Sequence, residues 1–195
     1  MTARERILGR VREALRERDP VEHPGAFEGW RPRTPRSPVD GLVHLLEAAG
    51  GEVVHQPNLD AATSWLATFC GGFDSSAVGE SVPAALRPPI PTASPDIAPL
   101  GVSVARGAVA ETGSLIMDAR DGRRAQLLVP THVVFLRVEH VYATLREALL
   151  DMADDLPSAI GLHSGPSKSA DIGQILVKGV HGPGRLVAVL IGGDE

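Results

Sequence analysis

The 195-residue chain is long enough for one substantial core and short for two. Its 43% apolar content excludes a disordered chain, and 4% aromatic content leaves Leu, Val, Ile and Ala to build the interior. A formal charge of -5 argues against nucleic acid as the main partner, because phosphate binding needs a basic excess.

In chain order, residues 3–18 read as an amphipathic helix, with Ile7, Leu8, Val11, Ala14 and Leu15 on one stripe, ended by Pro20. From Pro20 to Pro38 a Pro-rich arm carrying Phe27 and Trp30 lies across a surface, of this chain or of a second subunit, which leaves a homo-oligomer open. Residues 1–38 are therefore expected as a helix and arm, and 39–195 as the domain. A helix at 39–49 stops at Gly50-Gly51, a short strand covers Glu52–His55, and Asn58 caps a third helix. Cys70 falls at that helix's end as a small buried hydrophobe. As the single cysteine it closes no intrachain disulfide and cannot alone hold a cluster or zinc.

Another short strand is expected at Ala77–Gly79, and residues 83–99, with six prolines, are mostly loop. Strand character resumes at Gly101–Ala105. Ser114–Met117 and Arg124–Val129 flank Asp121-Gly122, which predicts a hairpin. Thr131–Val138 is a buried strand, Thr144 to Glu147 a capping box opening a helix to about Ala153, and Ala159–Leu162 a strand. Ser167 is expected to cap a short helix at 168–174, before a fully apolar last strand at Leu186–Ile191. This order predicts a three-layer α/β/α domain with a mixed, mostly parallel sheet. No apolar run reaches the roughly 18 residues of a membrane span, and the charged N-terminus lacks a signal-peptide pattern. A lone thiol suits a reducing compartment, so the expected location is the cytoplasm.

Two Gly-punctuated loops at strand ends carry the candidate chemistry. Ser164-Gly165-Pro166-Ser167-Lys168 offers hydroxyls, backbone N–H groups and one charge to a small anion, with Asp171 one turn further and Gly182 close to His181. A capped helix with no ligand is the competing reading. Ala110-Glu111-Thr112-Gly113-Ser114 sets a carboxylate among apolar residues, suited to acid/base or nucleophilic work. Its alternative is a plain turn with Glu111 paired to an arginine such as Arg106. His181, on a tight turn, can present a ring nitrogen or simply brace a loop. Glu111 and His181 are the catalytic candidates, and Thr112, Gly113, Ser114, Ser164, Gly165, Ser167, Lys168, Asp171 and Gly182 the ligand-binding ones. No histidine pair has metal-ligand spacing, so no metal site is expected, and the sequence leaves the identity of any cofactor open. A Ser167–His181–Asp171 triad can be composed but lacks the strained elbow such serines occupy.

The loops Ala110–Ser114, Ser164–Ser167 with Ala170-Asp171-Ile172, and Gly179–Pro183, together with Leu127–Pro130 before the 133–138 strand, resemble the lactate-utilisation protein C family, the stand-alone LUD domain. The resemblance covers about residues 40–191 and is densest after 101, with a compact 119–123 segment where the family often has a longer loop. It implies a fold like glucosamine-6-phosphate deaminase, ribose-5-phosphate isomerase and CoA transferases. It also implies a role in oxidising L-lactate to pyruvate beside iron–sulfur partner proteins, with this chain as the non-cluster subunit. Two other expectations stand beside it: an isomerase- or transferase-type enzyme acting on a phosphorylated or CoA-linked metabolite, and a non-catalytic ligand-binding scaffold.

Overall fold

The computed structural model describes residues 2–16, 37–170 and 176–192. By internal contacts the chain divides into two units, Met1–Arg31 and Pro32–Glu195. In the first, helix α1 (Ala3–Arg16) opens with a reciprocal cap: Glu5 N donates to Thr2 Oγ1, and Thr2 N to Glu5 Oε2. Its apolar stripe of Ile7, Val11 and Leu15 is exposed. The Pro-rich arm lies almost wholly outside the described residues.

The second unit runs α2 (Pro38–Ala48), β1 (Glu52–Gln56), α3 (Leu59–Phe69), β2 (Ser76–Val78), β3 (Leu100–Val104), β4 (Gly107–Val109) and β5 (Ser114–Asp118). Then follow α4 (Arg123–Leu127), β6 (Thr131–Arg137), β7 (Val141–Tyr142), α5 (Leu145–Asp151), β8 (Ile160–His163), β9 (Lys168–Ala170), β10 (Leu176–Lys178) and β11 (Arg185–Ile191). Five strands form a sheet in the order β1-β11-β6-β3-β2, every pair parallel. Such a sheet needs cover on both faces, so its central strands are apolar without a break. In β6 and β11, Val133, Phe135, Val187, Val189 and Ile191 face Ala62, Leu66 and Cys70 of the α3 layer. The alternate residues Val134, Leu136, Leu186, Ala188 and Leu190 face Leu42 and Leu46 of α2 together with Ala108, Leu115 and Met117. The last three belong to a second sheet, β7-β4-β5-β8, whose far side packs Val109 and Ile116 on Ala148 and Met152 at α5.

The expected architecture holds: a mixed α/β domain with a mostly parallel central sheet flanked by helices. Antiparallel pairing sits outside that central sheet, between β4 and β5, β5 and β8, and β9 and β10. Two local expectations are corrected. Asp121-Gly122 makes no hairpin: the segment after it is α4, because Asp121 turns inward, where its carboxylate accepts from Ser81 N at 2.7 Å. Ser167 caps no helix: residues 168–170 are extended and pair with β10, and the remainder, 171–174, lies outside the described residues. The predicted caps at Asn58 and Thr144 are present, the latter as a full capping box with Glu147.

Candidate functional site

The two sequence loops meet. Ser114, buried at the first position of β5, shares hydrogen bonds with Thr112 Oγ1 at 2.8 Å and with Ser164 Oγ at 2.6 Å. Both loops lean on the last turn of α2. Gly113 has φ +61, and a Cβ there would lie 2.5 Å from Leu45 Cβ, so backbone conformation and close approach both demand glycine. Gly165 lies against Ala49. Lys168 Nζ donates to Ala49 O, which puts its charge at the negative end of α2.

Glu111 is directed elsewhere. Its Oε1 accepts the Leu145 N–H at 2.8 Å, one of the open donors at the start of α5, and its own N–H donates to Ala143 O. The alternative partner, Arg106, is engaged by Asp118 and Asp155. Ser167 bonds across to the other glycine loop. Its N–H donates to Pro183 O at 2.8 Å, its carbonyl accepts Gly179 N at 3.0 Å, and its Oγ accepts the His181 main-chain N–H at 3.3 Å. The Ser167 hydroxyl therefore meets the His181 backbone, and Gly182 packs over the same side chain. His181 is exposed and lines a cavity of about 580 Å³ with Leu127, Leu128, Pro130 and Val180. Asp171 lies outside the described residues.

A second cavity, about 600 Å³, opens where β2 and β3 end. Carboxyl ends of parallel strands are where open α/β sheets bind ligands. None of the sequence-selected residues lines it. Instead Arg106 and Arg120 converge there on two carboxylates. Asp118 Oδ2 lies 3.2 Å from Arg106 Nη1 and 2.6 Å from Arg120 Nη2, and Asp155 binds Arg106 Nη2 at 3.0 Å and Arg120 Nη1 at 2.7 Å. The Arg120 guanidinium holds the Asp118 carboxyl below its ordinary range, against a smaller opposing effect of burial.

Asp121 lines the same cavity at 3% exposure. Its Oδ2 makes no hydrogen bond within the protein. Burial pushes this acid above its ordinary range, offset in part by the Ser81 and Val104 N–H groups. Gly79 makes room for it, since a Cβ at that position would sit 2.4 Å from Oδ2. Sequence reading passed over this group because its members come from four separate segments. The one local signal is the charge-dense run Asp118 to Arg124, which the hairpin reading absorbed.

A second buried polar pair lies between the sheets. His132, fully buried, bonds Ser103 Oγ through Nε2 at 3.0 Å and leaves Nδ1 without a partner. Burial, and secondarily the His163 ring 6.1 Å away, push its pKa down to about 3, so it is held neutral.

Residues 96–191 match the model of the LUD domain family. A "Lactate utilization protein C" of Deinococcus radiodurans is 36% identical over 111 residues, 54% of this chain and 52% of that protein. The Exiguobacterium protein of the same name is 29% identical over 163 residues, 78% of this chain and 66% of its own length. The chain thus spans about half to two thirds of these relatives. The crystal structure of a DUF162 family protein from Deinococcus radiodurans superposes with a TM-score of 0.60 over 81% of this chain and 100% of that one. Identity is 22%, a likeness of fold. The resemblance read from the loops is borne out.

Proposed function

With residues 96–191 matched to the LUD domain and its relatives named for lactate utilisation, we propose that this chain serves the oxidation of L-lactate to pyruvate as a non-cluster component that holds a small anion. A sequence with one cysteine cannot supply the ligands of an iron–sulfur cluster, so electrons would pass through iron–sulfur partner proteins.

The observation that carries the anion-binding part is the Thr112–Ser114–Ser164 hydroxyl chain. Three hydroxyls that share two hydrogen bonds leave one proton over, for which the Thr112 carbonyl, 3.4 Å from Ser114 Oγ, is the competing acceptor inside the protein. Thr112 and Ser164 are both exposed ends of this chain, so that proton can meet an anion at either, and an anion there would orient the other two hydroxyls in sequence.

A deletion strain should fail to grow on L-lactate as sole carbon source yet grow on pyruvate, with wild-type sequence restoring growth. Ser114→Ala, which cuts the chain in the middle, should weaken anion binding about fivefold, the equivalent of roughly 1 kcal/mol. Normal growth of the deletion strain on L-lactate refutes the role, and unchanged affinity in the Ser114 variant refutes the site.

A further inference from the structure

We propose that the cavity at the ends of β2 and β3 binds a small carboxylate bearing a hydroxyl or carbonyl group, and that Asp155 keeps the ligand's seat on the paired arginines until it arrives. This concerns residues separate from the hydroxyl chain and does not depend on the lactate role.

The seat is visible in what now fills it. The Asp155 carboxylate bridges the two guanidiniums, a geometry that planar arginine forks offer to any carboxylate. Oδ2 takes Arg106 Nη2 at 3.0 Å and Arg120 Nη2 at 3.2 Å, and Oδ1 takes Arg120 Nη1 at 2.7 Å. The Asp155 main-chain carbonyl accepts from Arg106 Nη1 at 2.6 Å and Arg120 Nη2 at 3.3 Å, and steadies both cations whether or not the side chain stays. Asp118 and Asp155 hold these cations in different ways. Asp118 has a side chain only 14% exposed and ends a strand, so it is a fixed counter-charge that keeps both arginines aimed. Asp155 has a side chain 67% exposed and stands on a single 3-10 turn, Ala153–Asp155. Exposed pairs of this kind contribute little net stability, so releasing one is cheap. Exchange of Asp155 for a ligand carboxylate leaves the cavity's charge balance unchanged, which neither a cation nor a neutral ligand would do.

The second contact is Asp121. A buried polar atom without a partner is costly and uncommon. Here it is Oδ2 of a carboxyl on the wall of the same cavity, shut off from solvent and lying against Gly79, whose missing side chain makes room for it, so a ligand reaches it only as the carboxyl turns outward. An ionised Asp121 would accept from a ligand hydroxyl, and a protonated one would donate to a carbonyl. The raised pKa brings the two forms closer in population than an exposed aspartate allows. A volume of about 600 Å³ suits small metabolites.

The test is titration of the full chain with L-lactate, pyruvate and L-malate, read by ligand-observed NMR and calorimetry. At least one acid should bind saturably. Asp155→Ala, at an exposed position, should keep the fold by circular dichroism and tighten binding about fivefold or more, because an internal competitor has gone. Arg120→Leu should abolish binding, and Asp121→Asn should weaken it. If the Asp155 variant binds none of the three acids, or binds no tighter than wild type, the proposal falls. A merely structural ion network predicts that second result.

Discussion

Single residues decide how this protein responds to pH. His132 is held neutral, with its pKa pushed down to about 3 from 6.5, so the unfolded chain takes up the proton first. The His132 contribution to stability is therefore complete above pH 6.5 and is lost as pH drops towards 3, at about 1.4 kcal/mol per pH unit. Burial lowers His163 too and adds to the same slope. Urea midpoints measured from pH 7 to pH 4.5 should decline, and His132→Leu should flatten the decline. Asp121 acts with the opposite sign. A raised folded pKa means that its stabilising, protonated form is lost as pH rises through that value. Asp121→Asn should accordingly raise Tm at pH 7 by roughly 2–4 °C, which corresponds to about 1 kcal/mol in a domain of this size. At acid pH the gain should vanish. Higher stability together with weaker carboxylate binding would mark the residue as kept for ligand rather than fold.

At the level of elements, Glu111 separates a capping role from chemistry. Glu111→Gln retains an oxygen for the Leu145 N–H, whereas Glu111→Ala leaves that donor open and should cost about 1 kcal/mol, read by denaturant unfolding. If Glu111→Gln leaves Tm unchanged yet abolishes growth on L-lactate, the carboxylate acts beyond the cap. Elements whose instructions are local were legible from the chain: the periodic faces of α2 and α3, the Asn58 and Thr144 caps, and the unbroken apolar runs of β6 and β11. Those decided by distant contacts were not. Asp121-Gly122 carries a strong hairpin signal, but the tertiary bond from Ser81 N turns its carboxylate inward. Ser167 has cap chemistry, but Pro183 O and Gly179 N claim its backbone. Ser114 meets Ser164 because both loops pack on the end of α2, whereas Glu111 turns away to the start of α5. The Arg106–Asp118–Arg120–Asp155 group has no spacing rule that a linear reading could catch.

Across the whole domain, the two sheets share one interior. Leu46, with no exposed surface, packs in the cluster that joins α2, β5, β6 and β11. Leu46→Ala should cost about 2–5 kcal/mol. The loss should appear undiminished at Trp65, which packs on the far face of the parallel sheet, when its fluorescence is followed in a Trp30→Phe background. A Trp65 transition that stays at the wild-type midpoint would mean that the sheets unfold separately. The last turn of α2 has a further effect. Leu45 abuts the Gly113 loop, and Ala49 receives both Lys168 and Gly165. One helical end thus serves as a common anvil for two segments fifty residues apart at their hydroxyl contact. Substitutions at Leu45 and at Ser164 should therefore be epistatic although neither side chain need touch the other, and the two loops are bound to diversify in step.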